Sequence, residues 1–171
     1  MTGPEIENSL QTMVILTDTR EQPSERAQKR FKSFECPYRR QKLDFGDYSA
    51  EFLLVDGRTV RVNAAIERKM SLEELSSCFT RDRDRFRREF ERAQQAGASM
   101  YLLVENATWE NLINGKYKTK FNKKAFLASL TAWIARYDLK PVFCKAETSG
   151  RLIKEILYRE MKQRLEAGEY G

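Results

Sequence analysis

The sequence predicts an α/β fold, a central mixed β-sheet flanked by helices, and three observations carry that expectation. Two apolar-alternating runs, Tyr48 to Val55 and Thr59 to Lys69, meet at Asp56-Gly57, a strong hairpin signal. Met100 to Glu105 is almost continuously apolar, as in a strand buried on both faces. Between and after these runs lie stretches with apolar residues at helical spacing. A strand–helix–strand order implies a crossover and a parallel pair beside the antiparallel hairpin.

In chain order, residues 1–11 lack an apolar segment and are expected to be a flexible tail, not a signal peptide. Residues 12–171 are expected to form one folded domain. Met13 to Leu16 is a strand that ends at Asp18. Pro23 and Ser24 open a helix whose stripe is Ala27, Phe31 and Phe34, with Arg26, Lys29, Arg30 and Lys32 on the other faces. Cys36 to Leu43 reads as a strand, with Pro37 keeping its start off a central ladder position. Gly46 permits a turn before Asp47.

On the second hairpin arm, Val60, Val62, Ala64 and Ile66 alternate with Thr59, Arg61, Asn63, Ala65 and Glu67. One face is therefore apolar and the other progressively polar. Ser71 and Glu74 make a capping box for a helix through Leu72, Leu75 and Phe79. The charged insert Thr80 to Arg85 breaks it, and a second helix turns Phe86, Phe90 and Ala93 inward until Gly97. A short helix spans Trp109 to Ile113. Asn122 caps a helix with the stripe Phe126, Leu127, Leu130, Trp133, Ile134 and Tyr137. Pro141 to Cys144 is a last strand. The final helix aligns Leu152, Ile153, Ile156, Leu157, Met161 and Leu165, a stripe that either packs inward or forms a dimer interface.

Composition bounds the chemistry. The chain has no histidine, which removes Ser-His-Asp hydrolysis, histidine acid–base chemistry and most zinc sites. Any metal must be held by oxygens, which points to magnesium or manganese. The formal charge of +6 favours a polyanionic partner. Cys36, Cys78 and Cys144 are odd in number and widely spaced, as expected of reduced thiols in a cytoplasmic protein. The longest mostly apolar stretch, Ala125 to Ala135, is too short and amphipathic to span a bilayer, so no membrane partner is expected.

The stretch Glu67-Arg68-Lys69 concentrates the chemistry. Glu67 and Lys69, two apart on a strand, point to the same face, and Arg68 points to the other with Ile66. A carboxylate holds a hard metal ion, and an ammonium beside it stabilises charge on a phosphate or positions water. Arg68 is then a supporting residue, paired with an acidic neighbour under the site. The same Glu-x-Lys spacing recurs at Glu160-Met161-Lys162 in a predicted helix, where it is a solvated pair. The pattern gains meaning only if other carboxylates reach Glu67. Asp18, at a strand end, and Asp47, across the hairpin, are the two candidates. Three crowded carboxylates repel one another unless a cation binds between them.

These residues, as Asp18-Thr19-Arg20-Glu21, Gly46-Asp47 and Glu67-Arg68-Lys69 followed by Glu73, resemble the XPF-type (ERCC4-domain) structure-specific endonucleases of the PD-(D/E)xK superfamily. The likeness runs from about Val14 to about Asn106 and includes Tyr101 to Glu105. Two positions depart from the family pattern: Glu73 stands where Asp is usual, and Arg85-Phe86 matches a Gly-Arg-Phe-type segment without its glycine. The resemblance implies a restriction-endonuclease-like three-layer fold and metal-dependent hydrolysis of branched, flap or junction DNA. The chain is similar to the short, stand-alone versions found in bacteria and phages, and no helix-hairpin-helix domain is expected. DNA repair or recombination is the implied setting, and a homodimer or a heteropartner is the implied assembly. By the same likeness Asp18, Asp47 and Glu67 hold Mg2+ or Mn2+. Arg20, Glu21, Arg68 and Lys69 complete the catalytic set, and Glu73 supports it from behind.

DNA contact is expected from Arg85 and from Lys116, Lys118, Lys120, Lys123 and Lys124, five lysines in nine residues interleaved with Tyr117 and Phe121. The same loop also reads as a solvated segment with its aromatics tucked onto the core, and the arginine-dense helix as an intrahelical salt-bridge face. Two other function classes remain open. A non-catalytic DNA-binding or scaffold subunit predicts binding without cleavage. An RNA-binding protein predicts binding without metal dependence.

Overall fold

The apolar alternation of the strands and the stripes of the helices are buried against one another in three layers. The computed structural model describes residues 1–170. Strands β1 (Val14–Thr17), β2 (Tyr38–Arg40), β3 (Tyr48–Leu53), β4 (Thr59–Arg61), β5 (Ala64–Lys69), β6 (Ser99–Glu105) and β7 (Lys140–Cys144) make one sheet. Its spatial order is β2-β1-β3-β5-β6-β7, with β4 paired to β3. The β1–β2, β5–β6 and β6–β7 pairs are parallel, and the pairs made by β3 are antiparallel. Helices α1 (Gly3–Leu10), α2 (Glu25–Lys32) and α7 (Ala146–Glu166) cover one face. Helices α3 (Leu72–Ser77), α4 (Arg83–Gln95), α5 (Trp109–Ile113) and α6 (Lys123–Tyr137) cover the other.

Each face has its own core. Ile6, Leu10, Phe31, Ile153, Leu157 and Met161 pack on Ile15, Phe52, Ile66 and Leu103. Leu75, Phe86, Phe90, Phe126, Leu130 and Trp133 pack on Ala65, Met100, Leu102 and Val104. β6 serves both cores, as its continuous apolar run requires. The α7 stripe takes the inward alternative, with Ile153, Leu157, Met161 and Leu165 buried.

Two expectations differ from the structure. The stretch expected to be a flexible tail contains α1. The Thr2 hydroxyl accepts from the Glu5 amide, and the Glu5 carboxylate accepts from the Thr2 amide at 2.6 Å. This reciprocal cap, with Pro4 in the first turn, starts a helix whose Ile6 and Leu10 lie one turn apart and are buried. The second hairpin arm is also not continuous. Asn63 breaks it, because its side chain donates to the carbonyls of Ala96 and Gly97 at the end of α4 and its amide donates to the Tyr170 hydroxyl. Beyond this break β5 pairs with β3 in the ladder only at Tyr48–Ile66 and runs parallel to β6. β5 is therefore an interior strand, buried on both faces from Ala64 to Glu67. Glu67 lies inside the protein, not on a solvent-facing polar side.

α2 and α7 approach closely at Gly150. A Cβ there would lie 1.9 Å from the Ser33 hydroxyl oxygen and 2.5 Å from the Arg30 carbonyl oxygen. The hydroxyl can rotate away, but the carbonyl is backbone. Gly150→Ala is expected to destabilise the protein by about 1–3 kcal/mol, read as a lower urea midpoint.

Candidate active site

The site is built where β3 and β5 meet. Gly46 has φ +76°, and a Cβ on it would lie 2.8 Å from the Ala65 Cβ, so the turn before β3 accepts only glycine. Asp47 is then stitched on both sides. Its amide donates to the Ile66 carbonyl at 2.8 Å, and its carbonyl accepts from the Asp18 amide at 2.8 Å. Its carboxylate accepts from the Arg68 amide at 2.8 Å. Glu67 and Lys69 project together from β5, and Glu67 Oε1 lies 2.9 Å from Lys69 Nζ. Glu67 Oε2 is buried and has no hydrogen-bond partner. The Lys69 ammonium also lies over the Phe86 ring, 5.3 Å from its centroid.

Charge and burial are in conflict at this point. Desolvation pushes the Asp47 carboxyl up to about 7; Glu21 and Glu89 add repulsion, while the Arg68 amide and Lys69 oppose it. Glu67 is held well above the ordinary carboxylate range by burial first and by Asp47 second. Burial works against the Lys69 ammonium, but Glu67 outweighs it and keeps the lysine above its ordinary value. Both carboxyl groups thus hold their protons more tightly folded than unfolded. The stability that Asp47 contributes is complete below about pH 4, the unfolded value, and is lost as pH rises through about 7, and Glu67 adds a loss in the same direction. In chelator, the melting temperature is expected to fall between pH 5 and pH 8. Asp47→Asn, which keeps an acceptor oxygen for the Arg68 amide, is expected to reduce that fall.

The other expected site residues are placed as follows. Asp18 is fully buried at the end of β1, with both oxygens engaged: Oδ1 accepts from the Leu43 amide, and Oδ2 from the amide and Nε of Arg20. Burial works against this carboxylate, but these hydrogen bonds outweigh it and hold its pKa below the ordinary value. The structure brings Asp47 and Glu67 together and leaves Asp18 committed to closing the loops around them. Among the described residues, no three Asp, Glu or Cys side chains converge closely enough to hold an ion as they stand.

Arg20 is more than half exposed and reaches past Asp18 toward Glu89, at 3.9 Å. Arg68 faces the opposite side of β5, as alternation requires, and pairs with buried Glu105. Glu21 belongs to that same underside network. Its Oε1 accepts from Arg30 and from the Tyr48 hydroxyl, each at 2.8 Å, and lies 3.8 Å from Arg68. Glu73, in the first turn of α3, accepts from the Lys118 amide at 2.8 Å, so it anchors the basic loop. Lys116, Lys118, Lys120, Lys123 and Lys124 are all exposed. Tyr117 and Phe121 are turned in against Phe126, and the Tyr117 hydroxyl donates to the Phe121 carbonyl. Arg85 is largely exposed, 3.9 Å from Asp82.

Sequence reasoning missed Glu89. It lies on α4, and its Oε1 accepts from the Gly46 amide at 2.7 Å. The signal was present: Glu89 shares the helical stripe of Phe86, Phe90 and Ala93, and a carboxylate on a core-facing stripe needs a specific partner.

Residues 17–156 match the ERCC4 domain family. No curated protein matches the chain. Among solved structures, XPF from Aeropyrum pernix is similar with a TM-score of 0.62 at 17% identity, over 92% of this chain and 69% of that one. XPF from Aeropyrum pernix in complex with DNA is similar with a TM-score of 0.61 at 19% identity, over 89% of this chain and 66% of that one. At these identities the likeness establishes the fold: the mixed sheet between two helical layers is the architecture of those structures.

Proposed function

The chain belongs to the ERCC4 domain family, and from that premise we propose that it is a metal-dependent DNA endonuclease hydrolysing phosphodiester bonds in structured DNA. The observation that carries this reading is the buried, unpartnered Glu67 Oε2 beside Asp47 and Lys69. A buried polar atom without a partner is costly, and two carboxylates that repel each other double the conflict. A divalent cation relieves both.

The residues present fit such an ion. The donors are carboxylate oxygens, which suit magnesium or manganese. Asp47 and Glu67 would hold it. Asp18, whose oxygens are taken, sets the loops that frame it. When bound, the ion supplies Lewis-acid charge to the scissile phosphate and acidifies water. The protein's own part is electrostatic and positional. Lys69, held as an ammonium by Glu67, faces the charge that develops on the phosphate. The Arg68 amide fixes the Asp47 carboxylate, and its guanidinium anchors β5 from below.

The surface around the site suits a nucleic-acid backbone. The lysine loop is tied to α3 through Glu73, four residues after Lys69. A groove of about 350 Å³ beside Asp44 is lined by Arg20, Lys42 and Arg92. The similar archaeal XPF structure holds DNA, which supports the same substrate class here. Replacing Lys116, Lys118 and Lys120 together by Ala is expected to weaken DNA binding. The slope of log affinity against log salt should fall by about one per lysine, measured by fluorescence anisotropy. An unchanged slope would remove the loop from the interface. The function itself is tested by incubating labelled flap, fork, nicked, duplex and single-stranded DNA with the protein in magnesium, manganese or chelator. Salt-sensitive binding without cutting would favour a non-catalytic DNA-binding subunit.

A further inference from the structure

Helix α4 grips the chain just before Asp47 at two points. Glu89 Oε1 accepts from the Gly46 amide at 2.7 Å, and Arg92 Nε, one turn further along, donates to the Asp44 carbonyl at 2.9 Å. The Glu89 side chain is about nine-tenths buried among Phe86, Phe90 and Ala93. A carboxylate in that position is costly to keep, and an apolar residue would continue the stripe. The segment it holds is one that needs holding. Gly46 sits at positive φ, pressed against Ala65, and glycine has the largest backbone freedom to lose. Asp47 follows directly, and its carboxylate accepts from Arg68 on β5. Two hydrogen bonds thus bracket Asp47: Arg68 to its carboxylate, and Glu89 to the amide before it.

Building on the nuclease reading above, we propose that Glu89 is a positioning residue that works through the Gly46 N–H, holding Asp47 beside Glu67 so that the two can share a divalent cation. The required feature is an acceptor oxygen at the Gly46 amide. Glutamine supplies that oxygen without the charge, whereas alanine and leucine do not. The same hydrogen bond joins the arginine-rich helix, which carries Arg85 at its exposed end, to the carboxylate pair.

The test uses the full chain and manganese alone as probe. The rise in melting temperature is followed against manganese concentration, and hydrogen exchange at the Gly46 amide is read by NMR. Glu89→Gln is expected to keep the wild-type manganese midpoint within about twofold, whereas Glu89→Ala is expected to raise it by about tenfold or more. Gly46 exchange should stay slow in wild type and Glu89→Gln and become about tenfold faster in Glu89→Ala. Glu89→Leu, which suits the apolar stripe, gives the same comparison should the alanine variant not fold. A Glu89→Gln midpoint displaced as far as that of Glu89→Ala or Glu89→Leu overturns the proposal, since charge and not the acceptor would then matter. A leucine variant with the wild-type midpoint overturns it too. A wild type with no manganese-dependent rise defeats the metal-dependent reading itself. A responsive wild type matched by an equally responsive leucine variant defeats the Glu89 inference alone.

Discussion

Lys69→Ala is expected to lower the single-turnover cleavage rate by roughly 10²–10³-fold while leaving DNA affinity within a few-fold of wild type. The asymmetry follows from placement. The Lys69 side chain is mostly buried, 2.9 Å from Glu67 and over the Phe86 ring, so it adds little to the surface that meets a DNA backbone. Binding belongs to the exposed arginines and lysines, and their contribution is long-range and salt-dependent. Its ammonium is instead fixed where charge develops, in a site from which water is largely excluded. Lys69→Met, which keeps the stem over Phe86 and removes the charge, is expected to lose as much rate as Ala. Methionine restoring cleavage would show that packing, and not charge, is what Lys69 supplies. Cutting by either variant at the wild-type rate would remove Lys69 from the chemistry.

Arg68→Met is expected to cause the largest loss of stability of any single change in the site, about 3–5 kcal/mol, read as a lower urea midpoint. Arg68 pairs with Glu105, whose side chain is 3% exposed, and faces Glu21 at 3.8 Å. Arg30 alone would then remain for two carboxylates and the Tyr48 hydroxyl. Methionine fills much of the volume, so the cost is that of a buried charge left without its partner. The Arg68 amide still reaches Asp47 in this variant, which separates the side chain from the backbone role. Arg159→Met provides the contrast. Its partner Glu155 is about half exposed, and breaking that surface pair is expected to leave the urea midpoint nearly unchanged. Equal effects at the two positions would mean that the Arg68 network is not a structural anchor.

The sheet and its helices were legible because their signals are local. Asp56-Gly57 makes the hairpin, Ser24, Ser71 and Asn122 cap their helices, and the run from Met100 to Glu105 is a strand serving two cores. The alternation at Glu67, Arg68 and Lys69 placed Arg68 on the opposite face from the other two, and it lies there with an acidic partner. What was not legible depends on contacts distant in sequence. Asn63 breaks the strand by bonding to the end of α4 and to Tyr170. Asp18 carries the motif's spacing, yet its oxygens go to Leu43 and Arg20, a choice set by how two loops close. Glu73 is spent on the Lys118 amide for the same kind of reason. Glu89 and the Thr2–Glu5 cap were visible in principle. One is a carboxylate on an apolar stripe, and the other is a capping box in a stretch without an apolar run.

The most direct test of the Asp47, Glu67 and Lys69 centre is single-turnover cleavage of one labelled flap substrate by wild type and Glu67→Gln, in manganese and in chelator. Glutamine keeps the size of Glu67 and removes the charge that a divalent cation would answer. Wild type is expected to cut only with the metal and to stop on chelation, and Glu67→Gln to cut more slowly by roughly 10²-fold or more at saturating metal. DNA binding by the two proteins should be alike. Metal-independent cutting, or cutting by Glu67→Gln at the wild-type rate, would contradict the assignment of Asp47, Glu67 and Lys69 as the catalytic centre.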